Sequence, residues 1–310
     1  GVYAGRSDEL SFEATLGPLA AAAGNYATLT EAVTSLLPAP PPAGTAPTPK
    51  PVFVSLAGGL GSLPPVLAKA SGADVRTGVM VRGLSRTPEG WKLVAGSAAD
   101  PEVLDADAVI LAVPGRPASR LLATASPTAA SGLAEIPYAS MAILTLAYPR
   151  AAVADAFGGR SGYLVPAVDG RVVKAVTFST TKWPHLPGDH ALVRCSVGRI
   201  GEETMLQRDD AELVALAHAE LAQATGIAVT PTDTRVTRWG GGLPQYTVGH
   251  LDRVARIRTA VAAQPGLAVA GAAYDGVGIP ACVATARLAA DTIAAWLTKT
   301  ASSRPETSTS

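Results

Sequence analysis

The stretch Pro265–Leu297, PGLAVAGAAYDGVGIPACVATARLAADTIAAWL, organises the reading of this chain. Leu267–Ala270 is an apolar run of strand length. Gly271–Pro280 is a glycine-punctuated turn, and Pro280 suits the first position of a helix, where its missing N–H is not needed. Beyond it Val283, Ala286, Ala290, Ile293 and Leu297 recur at the period of one helix face. The pattern is strand, Gly-rich turn, helix. Such a turn is either a structural connection or a site whose free backbone N–H groups and helix-dipole end face an anion or an electron-rich ring. The pattern alone leaves both open.

Size and composition bound the rest. A chain of 310 residues that is 48% apolar can bury a large core and form more than one lobe. Lys+Arg and Asp+Glu are both 25, with no basic run, which argues against nucleic acid as the main partner. Arginine outnumbers lysine 19 to 6, and Ala, Gly and Pro are abundant, as in proteins from GC-rich genomes. Cys195 and Cys282 sit far apart in apolar segments, the pattern of buried thiols in a reducing compartment. No apolar run approaches a membrane span and no secretory signal opens the chain, so the expected location is cytoplasmic. The chain begins at Gly1 without a methionine and reads as a piece of a longer protein.

Ser11–Leu37 reads as helical and Pro38–Pro51 as a Pro-rich linker. Val52–Leu56 is a strand candidate, followed by Gly58-Gly59-Leu60-Gly61 and a packed helix over 64–70. Val79–Leu84, Trp91–Ala95 and Ala108–Val113 read as strands of a meander, the last with the continuous apolar character of a strand covered on both faces. Helical connections are expected at 116–124 and 127–133. Met141–Tyr148, Gly162–Val165, Arg171–Ser179 and Ala191–Val197 suggest an antiparallel sheet forming a second lobe. Asp209–Ala224 reads as an amphipathic helix with Asp210 as cap and Gly226 as stop. A strand over Thr232–Trp239 ends in three glycines, and His250–Ala263 is another helix. The tail after Lys299 is polar and reads as disordered.

Several chemistries lack their residues. The histidines at 185, 190, 218 and 250 do not stand at zinc-ligand spacing with Cys, Asp or Glu. No Gly-x-Ser-x-Gly elbow or Walker lysine occurs. The glycines at 58, 59 and 61 fail the dinucleotide fingerprint, because Pro64 stands where its third glycine would be. No catalytic residue and no metal site can be named. Read this way, the sequence describes a large α/β protein with a candidate cofactor turn.

Two segments go further. Arg238-Trp239-Gly-Gly-Gly-Leu243-Pro244-Gln245-Tyr246-Thr-Val-Gly249-His250 and AGAAYDGVGIPACVATA at 270–286 resemble the protoporphyrinogen/coproporphyrinogen oxidases, FAD-dependent members of the amine-oxidase superfamily. Gly1-Val-Tyr-Ala-Gly5 with Glu9-Leu10-Ser11, Gly162-Tyr-Leu-Val-Pro166, and Thr181-Lys182-Trp183-Pro184-His185 before Leu192-Val-Arg194 extend the resemblance over most of residues 1–298. It implies a fold of α/β plus α+β type: a discontinuous FAD-binding domain at 51–113 and 256–298, whose N-terminal βαβ unit is not in this chain. A helical lobe remnant and linker would occupy 1–50, an antiparallel-sheet substrate domain 114–255, and a disordered tail 299–310. Within this arrangement Val81 would meet the adenine side of FAD, Trp239 would lie near the flavin, and Ala272 with Val277, Gly278 and Ile279 would form the turn under the ring.

The resemblance also implies the chemistry. Six electrons leave a porphyrinogen in three two-electron steps, with hydride passing to the flavin and oxygen reoxidising it to give hydrogen peroxide. The substrate is expected to be coproporphyrinogen III, the substrate of the actinobacterial branch, with protoporphyrinogen IX as the alternative. Arginines are natural partners for its carboxylates. A peripheral membrane contact and hand-off of the product to a haem-pathway ferrochelatase are further expectations. Another flavoenzyme of the superfamily, such as an amine oxidase or carotenoid desaturase, is the rival enzyme. A non-catalytic tetrapyrrole-binding remnant is the rival of a different class.

Overall fold

A computed structural model describes residues 3–38, 53–186 and 188–303. The Pro-rich linker from residue 39 on, the start of the strand expected at 52–56 and the opening Gly1-Val2 lie outside the described residues; of the tail expected at 299–310, residues up to 303 are helical and the rest lie outside the described residues.

Ser11–Leu37 forms three short helices, α1 (Phe12–Thr15), α2 (Gly17–Ala23) and α3 (Leu29–Leu36). Local chemistry sets their starts: Ser11 accepts from the Ala14 amide, and Thr28 with Glu31 closes a reciprocal capping box. Residues 53–56 are not a strand, and no described strand pairs with them to satisfy an extended backbone. Helix α4 (Leu63–Ser71) is present, but it buries none of its residues and so is not the packed helix expected.

Strands β1 (Val81–Arg86), β2 (Trp91–Gly96) and β3 (Pro101–Ala106) make an antiparallel meander. The third strand was not expected from its sequence, because Glu102 and Asp105 break the apolar pattern on an exposed edge. The run assigned to that place, 108–113, instead yields β4 (Val109–Leu111), paired in parallel with β10 (Leu267–Val269). Its apolar residues gain more from the core than from a meander edge. Val109 and Leu111 pack with α5 (Gly115–Leu122), α6 (Pro127–Ala134) and α10 (His250–Ala262). The other face is covered mainly over β10, which leaves Ile110 40% exposed.

The second lobe is a five-stranded antiparallel sheet in the order β6-β7-β8-β5-β9. Its strands are β5 (Tyr138–Pro149), β6 (Gly162–Leu164), β7 (Val173–Phe178), β8 (His190–Val197) and β9 (Asp233–Pro244). Short helices α7 (Arg150–Val153) and α8 (Ser179–Lys182) bracket its loops. Val193, Cys195 and Val197 are buried and Arg194 is exposed, the two-residue period of a sheet with one core face. That face packs on α9 (Asp210–Thr225) through Leu213, Ala217 and Leu221. The cap of α9 is Asp209 rather than Asp210, whose carboxylate instead takes Arg238. Strand β9 does not stop at Trp239. It continues through the glycines as a bulge, in which Gly240–Gly242 stand opposite Ser140 alone and the Gly241 amide donates to Ser140 Oγ at 3.0 Å.

Helix α11 (Ile279–Ser303) carries the largest correction. Pro280 is its second residue, and the inward face is Thr285, Ala289 and Ile293. Of the face expected from periodicity, only Ile293 is buried; Val283 and Leu297 are exposed. The helix lies on Ala268 of β10 and on Ala270 just beyond it, through Ala289 and Ile293.

Candidate functional site

Glycine at 271 and 276 lets the chain leave β10 and re-enter α11 in few residues. Gly271 has φ +118° and Gly276 φ +149°, and a Cβ on Gly276 would stand 2.7 Å from the Ala281 Cβ. The turn is then tied from the protein side at successive positions. The Gly271 amide donates to Thr285 Oγ1 at 3.0 Å, and that hydroxyl donates to the Cys282 carbonyl at 2.8 Å. Tyr246 Oη donates to the Ala272 carbonyl at 2.7 Å. His250 Nε2 lies 3.0 Å from the Tyr274 carbonyl, which makes it the protonated nitrogen. Arg258 grips Asp275 with both Nη atoms, at 3.0 and 2.5 Å.

Its outer side is different. Gly278, Ile279 and Pro280 are exposed and Val277 is half-buried. The amides of Val277, Gly278 and Ile279 have no hydrogen-bond partner among the described residues. The turn is held firmly beneath and open above, at the positive end of a 25-residue helix.

Tyr246 and His250 support this arrangement from the segment after β9. Their rings stack at 3.9 Å, and both are essentially inaccessible. Burial pushes the Tyr246 phenol well above its ordinary value, so it stays protonated as a donor; an N–H contact from Gly276 acts weakly the other way. Burial also lowers the His250 imidazole, an effect that the Tyr274 carbonyl opposes and Arg253 reinforces. His250 Nδ1 and Tyr274 Oη are buried without partners among the described residues. The first residues of the chain fix this segment in turn. Gln245 Nε2 donates to the Tyr3 carbonyl at 2.6 Å, and Ser11 N to the Tyr246 carbonyl at 2.7 Å.

Of the expected cofactor residues, Ala272, Val277, Gly278 and Ile279 stand together on this turn. Val81 opens β1 at an irregularity of the β1–β2 pairing, and Leu84 of the same strand shares a core with Tyr274. Trp239 is 55% exposed on β9, opposite Met141, beside a cleft with Arg238, Arg208 and Asp210. Sequence reasoning assigned no role to Tyr246, His250 or Thr285. Tyr246 and His250 stand in the segment at 238–250 and Thr285 in that at 270–286, both quoted for the family resemblance, but their tethering role depends on partners 26, 24 and 14 residues away. Among the described residues no three His, Cys, Asp or Glu side chains gather as a metal site.

The family described as flavin containing amine oxidoreductase matches residues 3–294. A coproporphyrinogen III oxidase of Mycobacterium leprae (strain TN) is 38% identical over 296 residues, covering 95% of this chain and 62% of that protein. The structure of an Exiguobacterium sp. 255-15 protein provisionally named protoporphyrinogen oxidase superposes with a TM-score of 0.78 at 30% identity, covering 94% of this chain and 61% of that one. Putrescine oxidase, at 21% identity and a TM-score of 0.61 over 77% of this chain and 53% of its own, shares the fold. The chain thus spans about three fifths of the length of the first relatives it matches.

Proposed function

This chain belongs to the flavin-containing amine oxidoreductase family, and we propose that it serves an FAD-dependent oxidase converting coproporphyrinogen III to coproporphyrin III. Six electrons would be removed, with oxygen as final acceptor and hydrogen peroxide released. The observation that carries the reading is the turn 271–279, tied from below at Gly271, Ala272, Tyr274 and Asp275 and open above at Gly278 and Ile279. The names of the relatives support the substrate class.

The residues present fit a flat, negatively charged cofactor. Side chains at 270–273 are no larger than methyl, and the unpartnered amides of 277–279 face the open side. Bound there, FAD would supply the two-electron acceptor. Val277, Gly278 and Ile279 would hold it by backbone N–H groups and Ala272 by close approach, with Trp239 bordering the ring and Val81 the adenine end. We take 51–113 and 256–298 to serve flavin binding, 114–255 the substrate, and 1–50 to be a helical lobe remnant and Pro-rich linker. The chain's own share of the work is orientation. Tyr246 and His250 keep their protons on carbonyls of the turn, at Oη and Nε2, and being inaccessible they exchange none with a substrate. We place the reaction in the cytoplasm, where free cysteines such as Cys195 and Cys282 stay reduced.

The test is to supply flavin-loaded protein with coproporphyrinogen III or protoporphyrinogen IX and follow porphyrin fluorescence and peroxide. Porphyrin formed faster from coproporphyrinogen III is the expected result. No porphyrin from either substrate, with flavin bound, rejects the proposal.

A further inference from the structure

We infer that the recess between residues 4–8 and the β6–β7 edge is a carboxylate subsite for an anion with an apolar body, and that Lys174 is its buried cation. The recess encloses about 710 Å³, and Gly5, Arg6, Leu164, Lys174, Arg199 and Glu202 are among the residues that line it.

The sequence of β7 explains how a lysine comes to be there. Val173 pairs with Val197 and Ala175 with Ser196, so Lys174 is the extra residue of a bulge. A bulge re-aims a side chain that regular alternation would direct elsewhere. Lys174 is 6% exposed, and its one hydrogen bond is from Nζ to the Gly198 carbonyl at 2.6 Å. No carboxylate among the described residues pairs with it. The carboxylates lining the recess are already taken, Asp8 by Arg6 at 3.2 Å and Glu202 by Arg199 at 3.4 Å. Lys174 is the cation of the recess with no carboxylate in contact.

A buried charge without a partner is costly, and proteins keep such groups chiefly where something completes them. Burial, reinforced by Arg199 and opposed by Glu202, lowers the Lys174 ammonium to about 8. At the rim Leu164 is 72% exposed and Val168, in the adjoining turn, 92%. A cationic floor beneath an apolar rim suits a carboxylate carried on a hydrocarbon body.

The recess adjoins the turn described above through a short relay. A Cβ on Gly5 would stand 2.1 Å from Gln245 Oε1, and the next residue, Tyr246, bonds Ala272. The natural occupant is therefore a carboxylate arm of the porphyrinogen, an identification that rests on the proposed function. Sequence reasoning looked to the arginines for this role. Yet Arg199 and Arg6 are already engaged by Glu202 and by Asp8 with Glu9.

The experiment measures binding of two probes to flavin-loaded protein, coproporphyrin III by fluorescence and laurate by calorimetry. Wild type is compared with Lys174→Met, Lys174→Arg and Leu164→Glu. Lys174→Met should bind both probes roughly tenfold to a hundredfold more weakly, the worth of a charged hydrogen bond. Lys174→Arg should stay near wild type, and flavin content should be unchanged in all. Equal coproporphyrin III binding by wild type and Lys174→Met overturns the inference while leaving the oxidase proposal intact. Laurate binding that depends on Lys174, without any porphyrin binding, supports the subsite and overturns the porphyrinogen reading. If Lys174→Met does not fold, the exposed Leu164→Glu decides: repulsion should weaken both probes, and unchanged binding sinks the subsite.

Discussion

Replacing Tyr246 with phenylalanine removes one hydroxyl and leaves the ring in place. In the wild type that hydroxyl donates to the Ala272 carbonyl at 2.7 Å, while the ring stacks on His250 at 3.9 Å and lies 5.3 Å from Tyr3. Tyr246 is 1% exposed, so no water replaces the lost donor at its own end. Ala272 is only half-buried, so its carbonyl can recover a water. One net hydrogen bond of this kind contributes about 1 kcal/mol. The expected loss in urea unfolding of the flavin-free protein is therefore about 1 kcal/mol, with an unchanged slope against denaturant. Flavin affinity should fall by no more than about fivefold, the ceiling that 1 kcal/mol sets. Tyr246→Ala additionally removes the stack and opens a cavity, and should cost roughly 3–5 kcal/mol. A phenylalanine variant as stable as wild type, or one as damaged as the alanine variant, would refute the view that the phenol is a single tether on a turn otherwise fixed from several sides.

Three other outcomes follow from the same geometry. Gly276→Ala sets a methyl against Ala281 at 2.7 Å in a conformation side chains rarely adopt, and should cost on the order of 1–3 kcal/mol and most of the bound flavin; full flavin content in the purified variant would contradict this. Because burial holds His250 below its ordinary value, the unfolded chain binds a proton at about pH 6.5 that the folded chain refuses. Stability should thus be complete above that pH and fall as pH drops below it, and His250→Gln should flatten that limb of the unfolding curve. Lys174 follows the same sign at higher pH, its ammonium lowered from 10.5 to about 8 by burial and Arg199, with Glu202 opposing. Stability should rise by on the order of 3 kcal/mol between about pH 8 and 10.5. Lys174→Met should lack that rise, and an identical slope in both proteins would be the contrary result.

Much of the organisation was legible in the sequence because it is local. The alternation of Val193, Cys195 and Val197 places a sheet, Gly226 stops a helix in the left-handed region at φ +77°, and the glycines of 271–278 force a turn between strand and helix. Pattern marks Gly271–Pro280 as a turn before a helix, while Val277, Gly278 and Ile279 were singled out through the family resemblance.

Other features were settled only by distant parts of the chain. Val109–Leu111 pairs with Leu267–Val269 rather than with its neighbours in sequence; its continuous apolar run marks a covered strand but does not name the partner. Helix α11 has apolar residues on more than one side, and periodicity selects the larger ones. Ala268 and Ala270 are instead met by Ala289 and Ile293, with Thr285 buried on the same side. Tyr246 and His250 became supports because Gln245 reaches Tyr3 across 242 positions and holds their segment beneath the turn. Propensity and period, properties of a few consecutive residues, mark most helices and the antiparallel strands, whereas β3, the extension of β9 and the missing strand at 53–56 depend on what lies alongside. Only the tertiary structure decided which face of α11 is buried and which side chains tie down the turn at 271–279, because those depend on the size and charge of whatever packs against them.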